Sequence, residues 1–214
     1  KHMDLAASMQ ETFEHIVIKI LNQLYEKYKI QNLCLAGGCA LNSKLNGLLS
    51  NRTKFKEIFI QPNAGDGGGS LGAAAYVNFK KNKIKNINYE SNVYLGPNFT
   101  NKEIEEIIFK RTDLKKFKIE KLEDKKIYET TSKKISNNLV IGWFKGRMEW
   151  GPRALGNRSI LADPRNKDIK DVLNLTIKLR EKFRPFAPSI LDEYKNNFFE
   201  IDYNSPHMMN VVDA

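Results

Sequence analysis

At 214 residues, 41% of them hydrophobic, the chain has the composition of a soluble globular protein and the length for one large or two small domains. No apolar run reaches the ~18 residues of a membrane span, and two cysteines, Cys34 and Cys39, are too few for a disulfide framework or a structural zinc site. The formal charge of +10 favours phosphate-bearing partners, but much of the excess is lysine scattered among asparagine and isoleucine, so charge alone names none.

From Asp4 to Lys29, Leu5, Met9, Phe13, Ile16, Val17, Ile20, Leu21, Leu24 and Tyr28 recur at three- and four-residue spacing, which predicts a long amphipathic helix. The sequence opens abruptly inside this pattern and reads as a portion of a longer protein. Asn32–Ala36 reads as a short buried strand, followed by Gly37-Gly38 and a helix from about Ala40 to Ser50 with Asn42 in its first turn. Strand, paired glycines and helix N-terminus make either an anion cradle or a simple tight turn. The two cysteines flank the glycine pair and read as buried free thiols of a reducing compartment; with no membrane span or secretory signal visible, the chain reads as cytoplasmic.

The next stretch repeats the pattern: a strand Glu57–Gln61, a loop, and Gly65-Asp66-Gly67-Gly68-Gly69-Ser70 leading into a helix Leu71–Lys80. Asp66 suits a metal, a ribose hydroxyl or a helix cap. Two such units suggest an α/β domain that binds a nucleotide along one sheet edge. The irregular stretch Lys81–Asn98 predicts a domain boundary. Thr100 and Glu103 have capping-box spacing ahead of a short helix to Phe109; a helix Lys125–Asn137 and a strand Leu139–Phe144 follow. Asp168–Arg180 reads as a helix with Ile169, Val172, Leu173 and Leu175 inward. Beyond Asp192 no element is predicted.

Between Val140 and Leu191 lie six of the eight arginines: Arg147, Arg153, Arg158, Arg165, Arg180 and Arg184. A solvated surface has no need of arginine over lysine, whereas a planar five-donor fork suits phosphate or carboxylate. Gly146, Gly151 and Gly156 permit close backbone approach, and Pro152, Pro185 and Pro188 stiffen the loops. The window therefore reads as a preorganised small-anion site on loops held by strands, with an RNA-binding surface as the alternative. Glu149 reads as a group that orients an arginine fork rather than as an acid/base, since so many cations would hold its pKa low and make it a poor proton carrier. Trp143 reads as core, and Trp150 is open to stacking on a base.

The run Glu149-Trp150-Gly151-Pro152-Arg153-Ala154-Leu155-Gly156-Asn157-Arg158-Ser159, followed by Arg184-Pro185-Phe186-Ala187-Pro188, resembles the carboxyl-terminal region of the O-carbamoyltransferases of nodulation and antibiotic biosynthesis. Leu35–Asn42 and Gln61–Gly68 match the same family in the same order. The resemblance implies an α/β protein of two domains: residues 1–92 as the second half of an ASKHA-type (actin-like ATPase, ribonuclease H-like) domain, and 93–214 as a YrdC-like domain. It implies that carbamoyl phosphate and ATP give carbamoyl adenylate, whose carbamoyl group passes to a small-molecule hydroxyl near a divalent metal, iron or magnesium. Lys145, Arg147, Arg153, Arg158 and Ser159 would hold phosphate oxygens, assisted by Glu149, Asn157, Arg180 and Arg184. Gly37, Gly38, Asn42 and Gly67 would cradle the nucleotide, and Asp66 would be a metal ligand. The family's metal also requires two histidines four residues apart, and His2, His15 and His207 are not so spaced. The resemblance leaves an RNA-binding YrdC-like module, or a tRNA threonylcarbamoyladenosine-type modification protein, as the alternative, with nucleic acid disfavoured. It also opens the uncovered face of a half domain to homo-oligomerisation.

Overall fold

The computed structural model describes residues 1–83, 92–201 and 203–214. The chain divides into two compact units, one of Lys1–Ser91, Gly151–Arg153 and Ile190–Ala214, the other of Asn92–Trp150 and Ala154–Ser189. Residues 84–91, part of the stretch read as a domain boundary, lie outside the described residues.

In the first unit, α1 (His2–Tyr28) is followed by β1 (Asn32–Leu35), α2 (Ser43–Arg52), β2 (Glu57–Ile60) and α3 (Gly69–Asn82). β1 and β2 pair in parallel, with Leu33 opposite Ile58 and Leu35 opposite Ile60. Alternation along a strand puts these four side chains on one face. They pack there with Leu21, Leu45, Leu49 and Phe55, and with Phe13, Val17, Ile18 and Tyr25 of α1. Helix α1 thus supplies one layer and the strands another, but of the predicted stripe only Phe13, Val17 and Leu21 enter this core, while Leu5, Met9, Ile16, Ile20, Leu24 and Tyr28 are exposed. The opposite strand face carries Cys34 and Phe59, both exposed. The thiols are free as expected, but they are not buried, because the face that bears Cys34 is left uncovered.

Helix α2 begins at Ser43, later than the sequence pattern suggests. Gly38–Leu41 instead forms a turn of 3-10 helix, and Asn42 is the N-cap, its Oδ1 accepting from Leu45 N at 3.0 Å. The carboxyl-terminal segment packs on this helix. Val211 N donates to Ser43 O at 3.0 Å, and buried Asn46 donates through Nδ2 to Ala40 O and Met209 O at 2.9 and 2.8 Å. This docking has no periodic signature; its trace in the sequence is a glycine, Gly47, in a helix interior.

The second unit contains α4 (Asn101–Lys110), α5 (Asp124–Ser136), β3 (Ile141–Phe144), β4 (Arg158–Leu161) and the short α6 (Ile169–Val172). The Thr100–Glu103 capping box forms at the start of α4. β3 and β4 are antiparallel, with Phe144 opposite Arg158 and Trp143 opposite Ser159. Arg158 and Ser159 therefore sit on a strand, whereas their glycine-flanked sequence suggests a loop. The predicted helix Asp168–Arg180 is also altered, since after Val172 it widens into a π-helical turn, Leu173–Ile177. Among the described residues no helix is long and apolar enough to cross a membrane.

Candidate functional site

The β3–β4 connection, less its tip Gly151–Arg153, is organised from beneath by Glu149. This side chain is 2% exposed, and its Oε1 accepts the backbone N–H groups of Leu155, Asn157 and Arg158 at 2.6, 2.9 and 3.4 Å. Its Oε2 lies 3.5 Å from Arg158 Nε. Burial pushes the Glu149 carboxyl up, but the N–H groups of Asn157, Leu155, Glu149 itself and Arg158 outweigh burial and hold it below the ordinary value. A carboxylate fixed in this way keeps its charge at neutral pH and holds the turn, which makes it a poor proton carrier.

Around this anchor the cationic groups have defined positions. Lys145 N continues the ladder by donating to Asn157 O at 2.9 Å, while its ammonium contacts the Tyr128 hydroxyl and lies 3.5 Å from Asp124. Arg147 donates through Nε to Gly96 O at 3.1 Å and through Nη2 to Leu95 O at 3.3 Å. Asn157 Nδ2 donates to Arg147 O at 2.6 Å, tying the two arms of the connection together. Ser159 Oγ accepts from Gly156 N at 3.0 Å, which leaves the hydroxyl proton able to point at a ligand. Gly146 and Gly156 have φ of 67° and 107°, conformations that side chains disfavour.

Arg180 and Arg184 form another cluster in the same unit. Arg180 donates through Nε to Asn174 Oδ1 at 2.7 Å and its guanidinium lies 4.8 Å from the Phe186 ring centre; Arg184 Nε is 2.7 Å from Glu181 Oε2. The sixth arginine, Arg165, is paired with buried Asp163, whose carboxyl is held down to about 2 by the Arg165 side chain. Nothing in the residue pattern singles out that pair beforehand, although Asp-Pro-Arg spacing permits it.

In the first unit, the loops after β1 and β2 meet where Gly37 N donates to Ala64 O at 2.7 Å. Gly37 has φ 97°, and a Cβ added at Gly37 or Gly38 would meet no atom within 4 Å, so the backbone is open to a ligand there. Gly67 and Gly68 have a different cause: added Cβ atoms would lie 2.7 Å from Asn63 Nδ2 and 2.2 Å from Asn63 O. Asn42 is engaged internally as the α2 cap and in a reciprocal amide pair with Gln10 at 3.1 and 2.8 Å. Gly151, with φ 122°, packs on Asn63. In the same unit Arg153 Nε is buried with no hydrogen-bond partner among the described residues. Asp66 is exposed at the start of a 3-10 turn. Among the described residues no group of three or more His, Cys, Asp or Glu side chains could hold a metal, so Asp66 alone does not constitute a metal centre.

Two family descriptions match the chain: residues 1–75 match the carbamoyltransferase N-terminus and residues 132–214 the carbamoyltransferase C-terminus. An uncharacterized protein of Synechocystis sp. is 46% identical over the whole chain and 35% of its own length. Nodulation protein NolO of Bradyrhizobium diazoefficiens is 42% identical over 94% of the chain and 36% of its own length. The 3'-hydroxymethylcephem-O-carbamoyltransferase of Streptomyces clavuligerus is 33% identical over 83% of the chain and 31% of its own length. The chain thus spans about a third of the length of these curated relatives. With both matched regions present in order, and with the arginine-bearing β3–β4 connection inside the second, the chain belongs to the carbamoyltransferase family.

Proposed function

We propose that this chain is the anion- and nucleotide-binding portion of a cytoplasmic ATP-dependent O-carbamoyltransferase, joining half of an ASKHA-type domain (1–92) to a YrdC-like domain (93–214). The observation that carries the reading is the β3–β4 connection, in which one buried carboxylate, Glu149, preorganises a turn that displays Lys145, Arg147, Arg158 and Ser159. Donors fixed in advance need no reorganisation when charge develops on a departing phosphate, and that saving makes such sites effective. Carbamoyl phosphate is the anion that family membership suggests.

Mass balance defines the activation step. Carbamoyl phosphate, ATP and one water give carbamoyl adenylate, orthophosphate and pyrophosphate; an acceptor hydroxyl then takes the carbamoyl group and AMP leaves. In this scheme Lys145, Arg147 and Arg158 neutralise phosphate oxygens and Ser159 donates to one of them. Asn157 and Glu149 hold the turn, and Arg180 and Arg184 supply further charge. In the first unit the open backbone at Gly37 and Gly38 receives ATP phosphates, and Arg153 adds positive charge for phosphate oxygens. Gly67 and Asn42 shape the loops behind that backbone. Asp66 is a single metal ligand without companions among the described residues, and no step is assigned to a metal. The acceptor is a small-molecule alcohol, as the name of the cephem-acting relative implies for that protein. Exposed Phe59, Tyr76, Val77 and Phe79 leave apolar surface through which copies of the chain could associate. Because the chain covers about a third of its relatives, binding is expected of it and complete carbamoyl transfer is not.

The reading is tested by titrating carbamoyl phosphate and a single-stranded RNA into the protein at low and high salt. Binding to fixed arginines is expected to give saturable carbamoyl phosphate affinity that weakens modestly with salt. RNA held through distributed phosphate contacts would lose affinity steeply over the same change. Tight, salt-sensitive RNA binding with no carbamoyl phosphate binding would replace the proposal with an RNA-binding one.

A further inference from the structure

We propose that Asn174 is a positioning residue, whose buried amide fixes Arg180 and the backbone of Arg184 so that the two guanidinium groups serve one phosphate-bearing ligand. The inference rests on the reading of these arginines as anion contacts and adds the group that sets them.

Asn174 is 0% exposed and lies in the π-helical turn Leu173–Ile177. Turns of this kind are rare and are found frequently at functional positions. Burying an amide is unfavourable unless its polar atoms are satisfied, and here they are satisfied almost wholly by the arginine segment. Oδ1 accepts from Arg180 Nε at 2.7 Å, and Nδ2 donates to Arg184 O at 2.9 Å and Lys182 O at 3.4 Å. The backbone repeats the attachment, Arg180 N donating to Asn174 O at 2.9 Å. To make that return the chain reverses at Leu179, with φ 49°, a conformation that branched side chains rarely adopt.

The result is an arginine with little freedom. Arg180 is tied at Nε, its plane lies over the Phe186 ring, and Nη2 reaches Pro185 O at 3.5 Å. Arg184 is tied at Nε to Glu181, and its Nη groups donate to no partner among the described residues. Leu175, Leu179, Arg180, Glu181 and Arg184 line one shallow depression of about 590 Å³. A phosphate there would meet two forks whose orientation is settled before it arrives, and Asn174 supplies the settling contact to one and steers the loop of the other. Packing alone would not select this residue: a buried apolar side chain would serve a purely structural turn without the cost of satisfying an amide.

The experiment is calorimetric titration of carbamoyl phosphate into the full chain and into Arg180→Ala, Asn174→Leu, Asn174→Asp and the Asn174→Leu/Arg180→Ala double variant, with near-UV circular dichroism to confirm folding. Arg180→Ala and Asn174→Leu are each expected to weaken binding about tenfold, the size of one charge-assisted contact. The double variant should lose less than the sum of the two single losses, because both single changes remove the Asn174–Arg180 contact. Asn174→Asp keeps the acceptor for Arg180 but loses the donor to Arg184 O and Lys182 O, so it should bind more weakly than the parent and more tightly than Asn174→Leu. Parent-like binding by folded Asn174→Leu, additive losses in the double variant, or binding by folded Asn174→Asp no tighter than by Asn174→Leu would each overturn the assignment while leaving Arg180 as an anion contact. Parent-like binding by Arg180→Ala would overturn both this assignment and the reading of Arg180 on which it rests.

Discussion

Glu149→Ala is expected to destabilise the second unit by about 3 kcal/mol, because it strips a buried turn of the acceptor for several donors at once. Leu155, Asn157 and Arg158 all send backbone N–H groups to Oε1, and Arg158 Nε faces Oε2. An alanine there leaves those donors inside the protein without partner or water. Glu149→Gln keeps a neutral oxygen in place and should cost less, about 1–2 kcal/mol. The pH dependence separates charge from shape. The folded carboxyl is held below its ordinary value of 4.5, so its stabilising contribution is fully present above that value and is lost as pH falls through the lower folded value. Urea unfolding of the parent should therefore show stability falling on the acid side, and Glu149→Gln should flatten that part of the fall. Asp163 contributes an acid limb of its own through Arg165, but that limb is common to parent and variant and cancels in their difference. An unchanged acid limb in Glu149→Gln would remove the ionised carboxylate from the account of the turn.

Gly47→Ala should destabilise the first unit by about 1–3 kcal/mol, against the usual direction for this exchange. In a helix interior, alanine is ordinarily better than glycine by about 1 kcal/mol. Here a Cβ would lie 1.8 Å from Val211 O, and a backbone oxygen cannot rotate out of the way. The segment must move off α2, taking with it the Val211–Ser43 and Asn46–Met209 hydrogen bonds and the burial of Met209. Limited proteolysis should cut the variant first in the segment after Ile190, and urea unfolding should report the lost stability. A stabilised variant with a protected carboxyl terminus would mean that this segment does not pack on the helix.

These sites also show how far the sequence could be read. The helix–strand alternation of the first unit was legible because α1 carries a long 3.6-residue pattern and each strand ends at glycine or proline. β4 was not, since Arg158-Ser159-Ile160-Leu161 has no clear alternation and follows two glycines; its pairing with β3 appears only when the chain folds back. Glu149 could be recognised as an organiser among arginines, but not as one that works chiefly through backbone amides, because backbone donors leave no residue signature. Asn174 lay inside what reads as an amphipathic helix, where one asparagine among leucines gives no hint of a π turn. Asn42 shows the opposite limit: a residue type suited to a ligand is engaged by the α2 cap and by Gln10. The arginine bias was legible, and the chemical reason for it proved local: the forks are held by carbonyls, carboxylates and one buried amide before any ligand is present.

The central claim is that the β3–β4 connection is a built site for carbamoyl phosphate, and calorimetric titration of that compound into the parent and into an Arg147→Ala/Arg158→Ala variant tests it most directly. Saturable, single-site binding by the parent is expected, with a loss of at least about a hundredfold in a variant shown by circular dichroism to be folded at the titration temperature. Equal affinity in parent and variant, or no binding by a folded parent, would contradict it.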